Sequence, residues 1–142
     1  RRGDARPFAV LFADFTRFKQ VNDRFGHDVG DEVLREMAQR LRNSVRGSDV
    51  VARYAGGEFL ILLNVVDNRR DVDAVRRHLS EVLQQPLESL TKVASAATQM
   101  PAEPFTGAAI GAALFPEDGQ DVATLIKHAD EDMYRRKAEG RG

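Results

Sequence analysis

The feature that most constrains the fold of this chain is a pair of apolar runs separated by two glycines. The β-prone runs cover residues 49–54 and 59–65, and Gly56-Gly57 lies between them. Two such runs joined by a short glycine-containing segment are typical of a β-hairpin. The glycines leave room for a ligand close to the backbone, and Glu58 adds a carboxylate beside that opening. By itself, however, a Gly-Gly pair is an ordinary turn signal, so a plain hairpin is the simpler interpretation.

Apolar periodicity predicts further elements on both sides of the hairpin. A continuous apolar run ending at Asp14 indicates a buried strand, and a second strand is predicted over 105–114. Helices are predicted with Asp31 as the N-cap residue, from Asp71, and from Asp121. The apolar side of the last helix consists of Leu125, Ile126, Ala129, Met133 and Tyr134. Because strands and helices interleave and one strand pair is antiparallel, the pattern favours an α+β sheet with helices on it.

Composition narrows the classes of protein to which this chain can belong. The 142 residues suffice for one compact domain, which we expect to span 1–142 and to be a piece of a longer multidomain protein. The formal net charge of −1 gives no general case for binding nucleic acid or an anionic membrane surface. Cysteine is absent, which excludes disulfides and thiolate metal sites and fits a cytoplasmic location. No apolar run is long enough to span a bilayer.

Three spaced motifs carry a resemblance to a known family. They are Asp14-x-x-x-Phe18-Lys19-x-x-Asn22-Asp23-x-x-Gly26-His27-x-x-Gly30-Asp31, Arg53-x-Ala55-Gly56-Gly57-Glu58-Phe59, and Ala129-Asp130 with Met133-Tyr134 and Lys137-x-x-Gly140-Arg141. In order and spacing they resemble the GGDEF domain of the diguanylate cyclase family, of the kind often found ahead of an EAL domain. The resemblance implies an α+β fold of the cyclase and polymerase-palm type, with a ferredoxin-like core and a central, mostly antiparallel sheet wrapped by helices.

The hairpin motif departs from the family pattern where the chemistry should be. Ala55 replaces the first glycine, and Gly57 replaces an acid that active members use to hold a metal. Thr16 likewise replaces the second aspartate of the first motif. Glu58 remains, but neighbouring strand residues point to opposite faces, so Glu58 does not simply substitute for the missing acid. Restoring the acid with Gly57→Glu is expected to raise activity if the rest of the site is intact.

The resemblance also implies roles for individual residues. Asp14 and the backbone carbonyl of Phe15 match the positions that hold Mg²⁺, although Asp14 alone is more simply a helix cap. Asn22 and Asp31 match the residues that bind the guanine edge, and their donors and acceptors suit that base. The complete nucleotide-binding set is Phe18, Lys19, Asn22, Asp31, Gly56, Lys137 and Arg141. Without the resemblance, the basic residues at the chain's end would be a solvated helix terminus.

A second ligand site is implied upstream of the hairpin. Arg46 and Asp49 fit the family's Arg-x-x-Asp inhibitory site for cyclic di-GMP, and Arg77 or its neighbour Arg76 could assist. Arginine forks onto phosphate or the Hoogsteen edge of guanine, and aspartate accepts hydrogen bonds from its Watson–Crick edge. An isolated Arg-x-x-Asp is usually a surface ion pair, but its offset from the hairpin motif is the family's.

These observations favour a degenerate GGDEF domain over two alternatives. The favoured domain binds GTP or cyclic di-GMP and regulates a partner EAL or sensor domain, with weak or absent cyclase activity, optional Mg²⁺ and a possible homodimer. The first alternative is an active diguanylate cyclase with a relaxed motif, and Gly57 argues against it. The second is a spacer or dimerisation module that binds no ligand, which would have no need of Asn22, Asp31 or Lys137.

Overall fold

The computed structural model describes residues 6–93 and 107–139. Within these ranges the chain forms four strands and five helices. They are β1 (Phe8–Phe15), α1 (Phe18–Phe25), α2 (His27–Ser44), β2 (Val50–Ala55), β3 (Glu58–Leu63), α3 (Arg69–Gln84), α4 (Glu88–Val93), β4 (Ala108–Phe115) and α5 (Val122–Ala138). The predicted strand 105–114 is therefore found from Ala108 onward. In the stretch 87–104, which had no clear pattern, α4 is described and 94–104 lies outside the described residues.

The four strands form one antiparallel sheet in the order β2-β3-β1-β4. Strand β1 is an inner strand whose side chains enter a core on each face of the sheet, which explains its continuous apolar sequence. Strands β2 and β3 form the predicted hairpin, with Gly56-Gly57 as the turn. The prediction of an α+β fold with a central antiparallel sheet is confirmed.

Helices cover both faces of the sheet. The larger core lies beneath α1, α2 and α3 and includes Leu11 and Phe59. The smaller core lies beneath α5 and includes Val10, Phe12 and Met133. Since side chains alternate between faces along a strand, Asp14 follows Val10 and Phe12 onto the α5 face. This alternation decides which helix each residue at the end of β1 can reach.

Two details of the predicted helices were wrong. Helix α2 begins at His27, so Asp31 lies one turn inside it and is not its N-cap. Gly26, with φ of 91°, turns the chain between α1 and α2 and takes the N-cap position five residues before Asp31. Tyr134 is 70% exposed, unlike the buried Met133 beside it, and does not belong to the apolar side of α5.

Two side chains of α2 fasten this helix to its neighbours. The Glu36 carboxylate accepts hydrogen bonds from the N–H groups of Glu88 and Ser89 at the start of α4, at 2.8 and 3.0 Å. The Arg40 guanidinium donates to the carbonyls of Val82, Gln85 and Pro86 at and just after the end of α3. Each side chain thus satisfies backbone groups that a helix end leaves unpaired.

This arrangement makes the stability of the domain depend on pH through Glu36. Burial alone would raise the pKa of Glu36, but the N–H groups of Ser89 and Glu88, the Ser89 hydroxyl and the charge of Arg40 outweigh it and hold the pKa below its ordinary value. A lowered pKa contributes stability above the unfolded-state pKa, and that contribution is lost as the pH falls through the folded-state value. We therefore expect the wild type to lose more free energy of unfolding between pH 6 and about pH 3 than Glu36→Gln does.

Urea unfolding at several pH values measures this difference. Glu32→Gln is the matched control, because Glu32 is also on α2 but its ion pair with Arg35 is exposed. Equal pH slopes for the wild type and Glu36→Gln would contradict the assignment.

Candidate nucleotide site

A cleft of about 380 Å³ opens where the end of β1, the hairpin turn, the start of α1 and the end of α5 meet. Its walls bring together residues that are far apart in the sequence. They are Asp14, Phe15, Thr16, Phe18, Lys19, Ala55, Gly56, Gly57, Glu58 and Lys137. Most of the residues assigned by resemblance to metal, phosphate or catalysis therefore share one cleft. Arg141 lies outside the described residues, so its role stays a prediction.

An ion pair crosses this cleft. The Lys137 ammonium donates to the Asp14 carboxylate at 2.8 Å, joining the last turn of α5 to the end of β1. The contact depends on close packing of α5 against β4, where a Cβ on Gly111 would lie 2.1 Å from the backbone nitrogen of Met133. Glycine at position 111 thus lets the helix approach the sheet closely and lets Lys137 reach Asp14.

Glu58 is the second carboxylate of the cleft. It is paired with Asp14 in the β1–β3 register, so both side chains lie on the α5 face of the sheet. Burial is the largest cause of a raised pKa at Glu58, and the negative charges of Asp14 and Asp130 raise it further, while Lys137 lowers it. Lys137 therefore only partly offsets the burial and the neighbouring negative charges that raise the pKa of Glu58.

Gly57 lies on the opposite face from Asp14. Its carbonyl accepts a hydrogen bond from the Phe15 N–H at 2.9 Å, which continues the β1–β3 pairing by one residue. A Cβ at position 57 would lie 2.8 Å from Cβ and 3.0 Å from Cγ of Phe18. Contacts below 3.0 Å require a shift of one partner, and Cβ is not a flexible end of a side chain. An acid at position 57 would therefore require Phe18 or its helix to shift.

The predicted guanine-binding residues lie on α1 and α2. The Asn22 side-chain oxygen Oδ1 is buried and has no hydrogen-bond partner among the described residues. A Cβ on Gly30 would lie 1.9 Å from that oxygen, so glycine is needed where the two helices meet. Asp31 is exposed and lines a neighbouring groove of about 400 Å³ together with Arg53 and Phe59. A buried amide with an unsatisfied oxygen is unusual in a folded protein and is a candidate ligand contact.

The donor set of the cleft does not fit a paired-metal centre. The resemblance implies a cation held by Asp14 and the Phe15 carbonyl, yet an Asp14 oxygen is already bonded to Lys137. Among the residues that the structure describes, no group of three or more His, Cys, Asp or Glu side chains is placed to hold a metal ion. Phe18 fills the space next to Gly57.

The predicted inhibitory site lies at a second cleft, of about 660 Å³, between the end of α2, the end of β3 and the start of α3. Arg46 and Asp49 both line it. Asp49 is only 7% exposed, and its carboxylate accepts hydrogen bonds from the N–H groups of Arg46 at 3.0 Å and Asn64 at 2.9 Å. The Arg46 guanidinium is exposed and donates to the Val65 carbonyl at 3.3 Å. Arg77 is exposed on α3 and does not line the cleft.

Sequence reasoning missed several contributions to these sites. Phe18 was assigned to nucleotide binding, and its packing on Gly57 depends on a contact between α1 and the hairpin that no local pattern encodes. Arg53 braces the turn by donating from Nε to the Gly56 carbonyl at 3.0 Å. Asp130, next to Ala129 in the third motif, was not assigned a role, and its charge acts on Glu58.

Together, the antiparallel sheet, its helical covering and the cleft at the hairpin turn define a cyclase-fold domain of the α+β class. Residues 1–142 match the family described as "Diguanylate cyclase, GGDEF domain", and the chain belongs to this family. The family resemblance inferred from the motifs is thus confirmed. The described residues contain no helix that is long and apolar enough to cross a membrane.

Relatives with curated functions include larger proteins. The bifunctional diguanylate cyclase/cyclic di-GMP phosphodiesterase MucR of Pseudomonas aeruginosa is 39% identical over 138 residues, which are 97% of this chain and 18% of MucR. The diguanylate cyclase TpbB of the same organism is 38% identical over 134 residues, 94% of this chain and 29% of TpbB. The crystal structure of the TpbB GGDEF domain superposes with a TM-score of 0.82 at 35% identity, covering 97% of this chain and 80% of that one. The chain thus spans less than a third of these curated relatives.

Proposed function

We propose that this domain binds guanine nucleotides and regulates a neighbouring domain in cyclic di-GMP signalling, with weak or absent cyclase activity of its own. The observation that carries the proposal is Gly57 packed close to Phe18, because the acid of the motif is absent and any side chain at position 57 would meet Phe18. Glu58 and Asp14 remain, but they lie on the other face of the sheet. Nucleotide binding is expected not to require Mg²⁺.

Guanine recognition is assigned to Asn22 and Asp31. A carboxylate can accept from the N1–H and N2–H₂ donors of guanine, and an amide can both donate and accept. The Oδ1 of Asn22 has no hydrogen-bond partner among the described residues but is enclosed against Gly30, so the side chain has to turn before this oxygen can reach a base. The exposed Asp31 carboxylate is accessible from the groove. Lys19 and Lys137 line the cleft next to the start of α1 and supply positive charge for the phosphates. Arg141 is proposed to add a further phosphate contact.

The Asp31→Ala variant is expected to bind GTP about tenfold or more weakly, since a charge-assisted hydrogen bond is worth about 1.5–3 kcal/mol. Isothermal calorimetry measures the affinities. Asp28→Ala is the control, because Asp28 is exposed in the first turn of the same helix. Unchanged affinity in Asp31→Ala would show that the guanine pocket is misassigned.

Cyclic di-GMP binding is assigned to the second cleft, with the exposed guanidinium group of Arg46 as its main contact. Arg77 lies outside the wall of this cleft and would take part only with a ligand that extends beyond it. Within the described ranges, the Arg46 side chain donates one long hydrogen bond, to the Val65 carbonyl, so it is available for a ligand at little structural cost. Arginine suits this ligand because its planar fork matches phosphate oxygens and also stacks on bases. The second cleft has room for a base beside Arg46.

Truncating Arg46 to alanine is expected to lower the affinity for cyclic di-GMP by about ten- to a hundredfold while leaving the unfolding midpoint almost unchanged. Calorimetry and thermal unfolding on the same samples provide both measurements. Arg70→Ala serves as control, since Arg70 is another exposed arginine near the start of α3. If the wild type does not bind, or both variants bind alike, Arg46 belongs to a surface contact only, and the spacer interpretation gains support.

The regulated partner is proposed to be an EAL or sensor domain of the same polypeptide, acting in the cytoplasm, with a homodimer as a second mode of assembly. Support comes from MucR, whose name combines cyclase and phosphodiesterase activities and of which a chain like this one forms less than a fifth. Regulation would follow from differential nucleotide binding, because a ligand shifts an equilibrium only through its different affinities for the two states. Co-expressing this domain with its neighbour and measuring phosphodiesterase activity with and without GTP tests this.

A further inference from the structure

Lys137 is the only positively charged side chain with an ion-pair contact to Asp14 among the residues that the structure describes. The ammonium group lies 2.8 Å from Oδ2 of Asp14, and the two side chains are 41% and 17% exposed. An ammonium group carries three donors, so one bond to Asp14 leaves two for another acceptor. This geometry allows Lys137 to contact a carboxylate and a phosphate oxygen at the same time.

Without Lys137, negative charge would dominate the part of the cleft around Asp14. The negative charges of Asp14 and Asp130 both act on Glu58, and the positive charge of Lys137 opposes them. In a nucleotide site, such carboxylates would repel the phosphates unless a cation lies between them. Divalent metals commonly meet this need by binding one or two carboxylates together with phosphate oxygens. Lys137 is already at the place where such a cation would contact Asp14.

A second, independent observation points the same way, because Gly57 stands where the family motif has an acid. Phe18 packs on Gly57 with its Cβ 2.8 Å from where a Cβ at position 57 would be, so the face that has lost its acid is sealed by an aromatic side chain. The cleft has therefore not simply lost one ligand of a metal. One of its walls is closed, and its remaining carboxylate on β1 is paired with an internal cation.

We propose that Lys137 acts as a built-in counter-ion that takes the place of a divalent cation beside Asp14, so that phosphates bind in this cleft without metal. The statement about phosphates rests on the proposed function, whereas the statement about the cation does not. Removing the ammonium group should uncover the carboxylates and create an affinity for divalent metal that the wild type lacks.

The first experiment uses Mg²⁺ alone, without nucleotide. Thermal unfolding of the wild type, Lys137→Met and Lys127→Met is followed in MgCl₂ and in NaCl of equal ionic strength. Methionine keeps the length of the side chain without its charge, and Lys127 is an exposed lysine on the same helix. Only Lys137→Met should show a midpoint raised by Mg²⁺ over NaCl, because a ligand of the folded state stabilises it by mass action.

A double variant tests whether Asp14 is the carboxylate that binds Mg²⁺ when Lys137 is replaced. Asp14→Asn combined with Lys137→Met should lose the gained response to Mg²⁺, since the amide is a far weaker metal ligand than the carboxylate. A wild type that Mg²⁺ stabilises as much as Lys137→Met overturns the proposal. A Lys137→Met protein that folds and shows no response to Mg²⁺ also overturns it. Lys137→Gln provides a second uncharged variant should methionine prevent folding.

The second experiment measures GTP affinity in Mg²⁺ and in EDTA. For the wild type the two dissociation constants should agree within about twofold, whereas a loss of about tenfold or more in EDTA would contradict metal-independent binding. If GTP does not bind in either condition, the proposed function fails at this cleft, and the Mg²⁺ unfolding experiment still decides whether Lys137 excludes the cation.

Discussion

Incubated with GTP and Mg²⁺, the wild-type chain is expected to form cyclic di-GMP at least about a thousandfold more slowly than a GGDEF domain with an intact motif. Removing one preorganised charge from a two-metal phosphoryl-transfer site raises the barrier by about 4 kcal/mol, which corresponds to three orders of magnitude in rate. The acid is missing at Gly57, and Asp14 is already bonded to Lys137. Product formation is measured by chromatography over hours at micromolar protein.

Turnover close to that of the intact-motif domain would contradict this expectation and support the alternative of an active cyclase. The feature to explain would then be Glu58, which lies next to Asp14 in the sheet register and would have to act with it. A Glu58→Gln variant would show whether the residual activity depends on that carboxylate. Since the substitution preserves shape, a loss of activity could be attributed to the charge.

Restoring the acid by itself is not expected to restore the rate. The sequence alone suggested that Gly57→Glu would raise activity, but the new Cβ would lie 2.8 Å from Cβ of Phe18. Shortening Phe18 to alanine removes the ring contacts at 3.0 and 3.3 Å and leaves the Cβ contact at 2.8 Å, which a small shift of α1 relieves more easily once the ring is gone. The double variant Gly57→Glu with Phe18→Ala is therefore the better candidate for a gain. Phe18→Ala alone is the control, and a gain from Gly57→Glu alone would show that Phe18 moves easily.

The parts of the fold that follow from local pattern were predicted well from the sequence. The hairpin, the buried strand before Asp14 and the helix beginning at Asp121 are all present, and Asp121 caps that helix by accepting from the Thr124 N–H. Helix α3 begins at Arg69, two residues before the predicted Asp71, because Asn68 takes the N-cap position. Helix α2 was misplaced at its start because an aspartate near an apolar stripe is only one of several ways to begin a helix.

The motifs predicted which residues belong to the candidate site. They did not predict the contacts that these residues make with one another, because those contacts depend on the tertiary structure. Spacing and the family resemblance assigned Asp14, Glu58 and Lys137, and the structure brings them into one cleft. Neither could reveal that Lys137 bonds to Asp14, since these residues are 123 positions apart in the chain. The packing of Phe18 on Gly57 likewise depends on how α1 meets the hairpin. The sequence therefore predicts the members of the site, and the structure determines which of them are still available.

Among these substitutions, the largest loss in free energy of unfolding is expected for Asp49→Ala. Asp49 supports the fold and also belongs to the proposed cyclic di-GMP site. Both of its oxygens accept backbone hydrogen bonds, from Arg46 and from Asn64, and the side chain is buried. Truncation to alanine leaves two N–H groups without their acceptor, and each such group costs about 1–3 kcal/mol. Asp49→Ala should therefore lower the free energy of unfolding by about 2–4 kcal/mol. Urea unfolding at pH 7 measures it.

Asp67→Ala is the matched control, because Asp67 lines the same cleft but is exposed. It should change the free energy of unfolding by less than about 0.5 kcal/mol. If Asp49→Ala changes the free energy of unfolding equally little, the carboxylate is not needed for the fold. It would then be available to bind cyclic di-GMP, as the family resemblance implies. With the expected large loss, weaker binding of cyclic di-GMP by Asp49→Ala would reflect a displaced loop around Arg46, and the Arg46→Ala titration would remain the cleaner measure of the ligand contact.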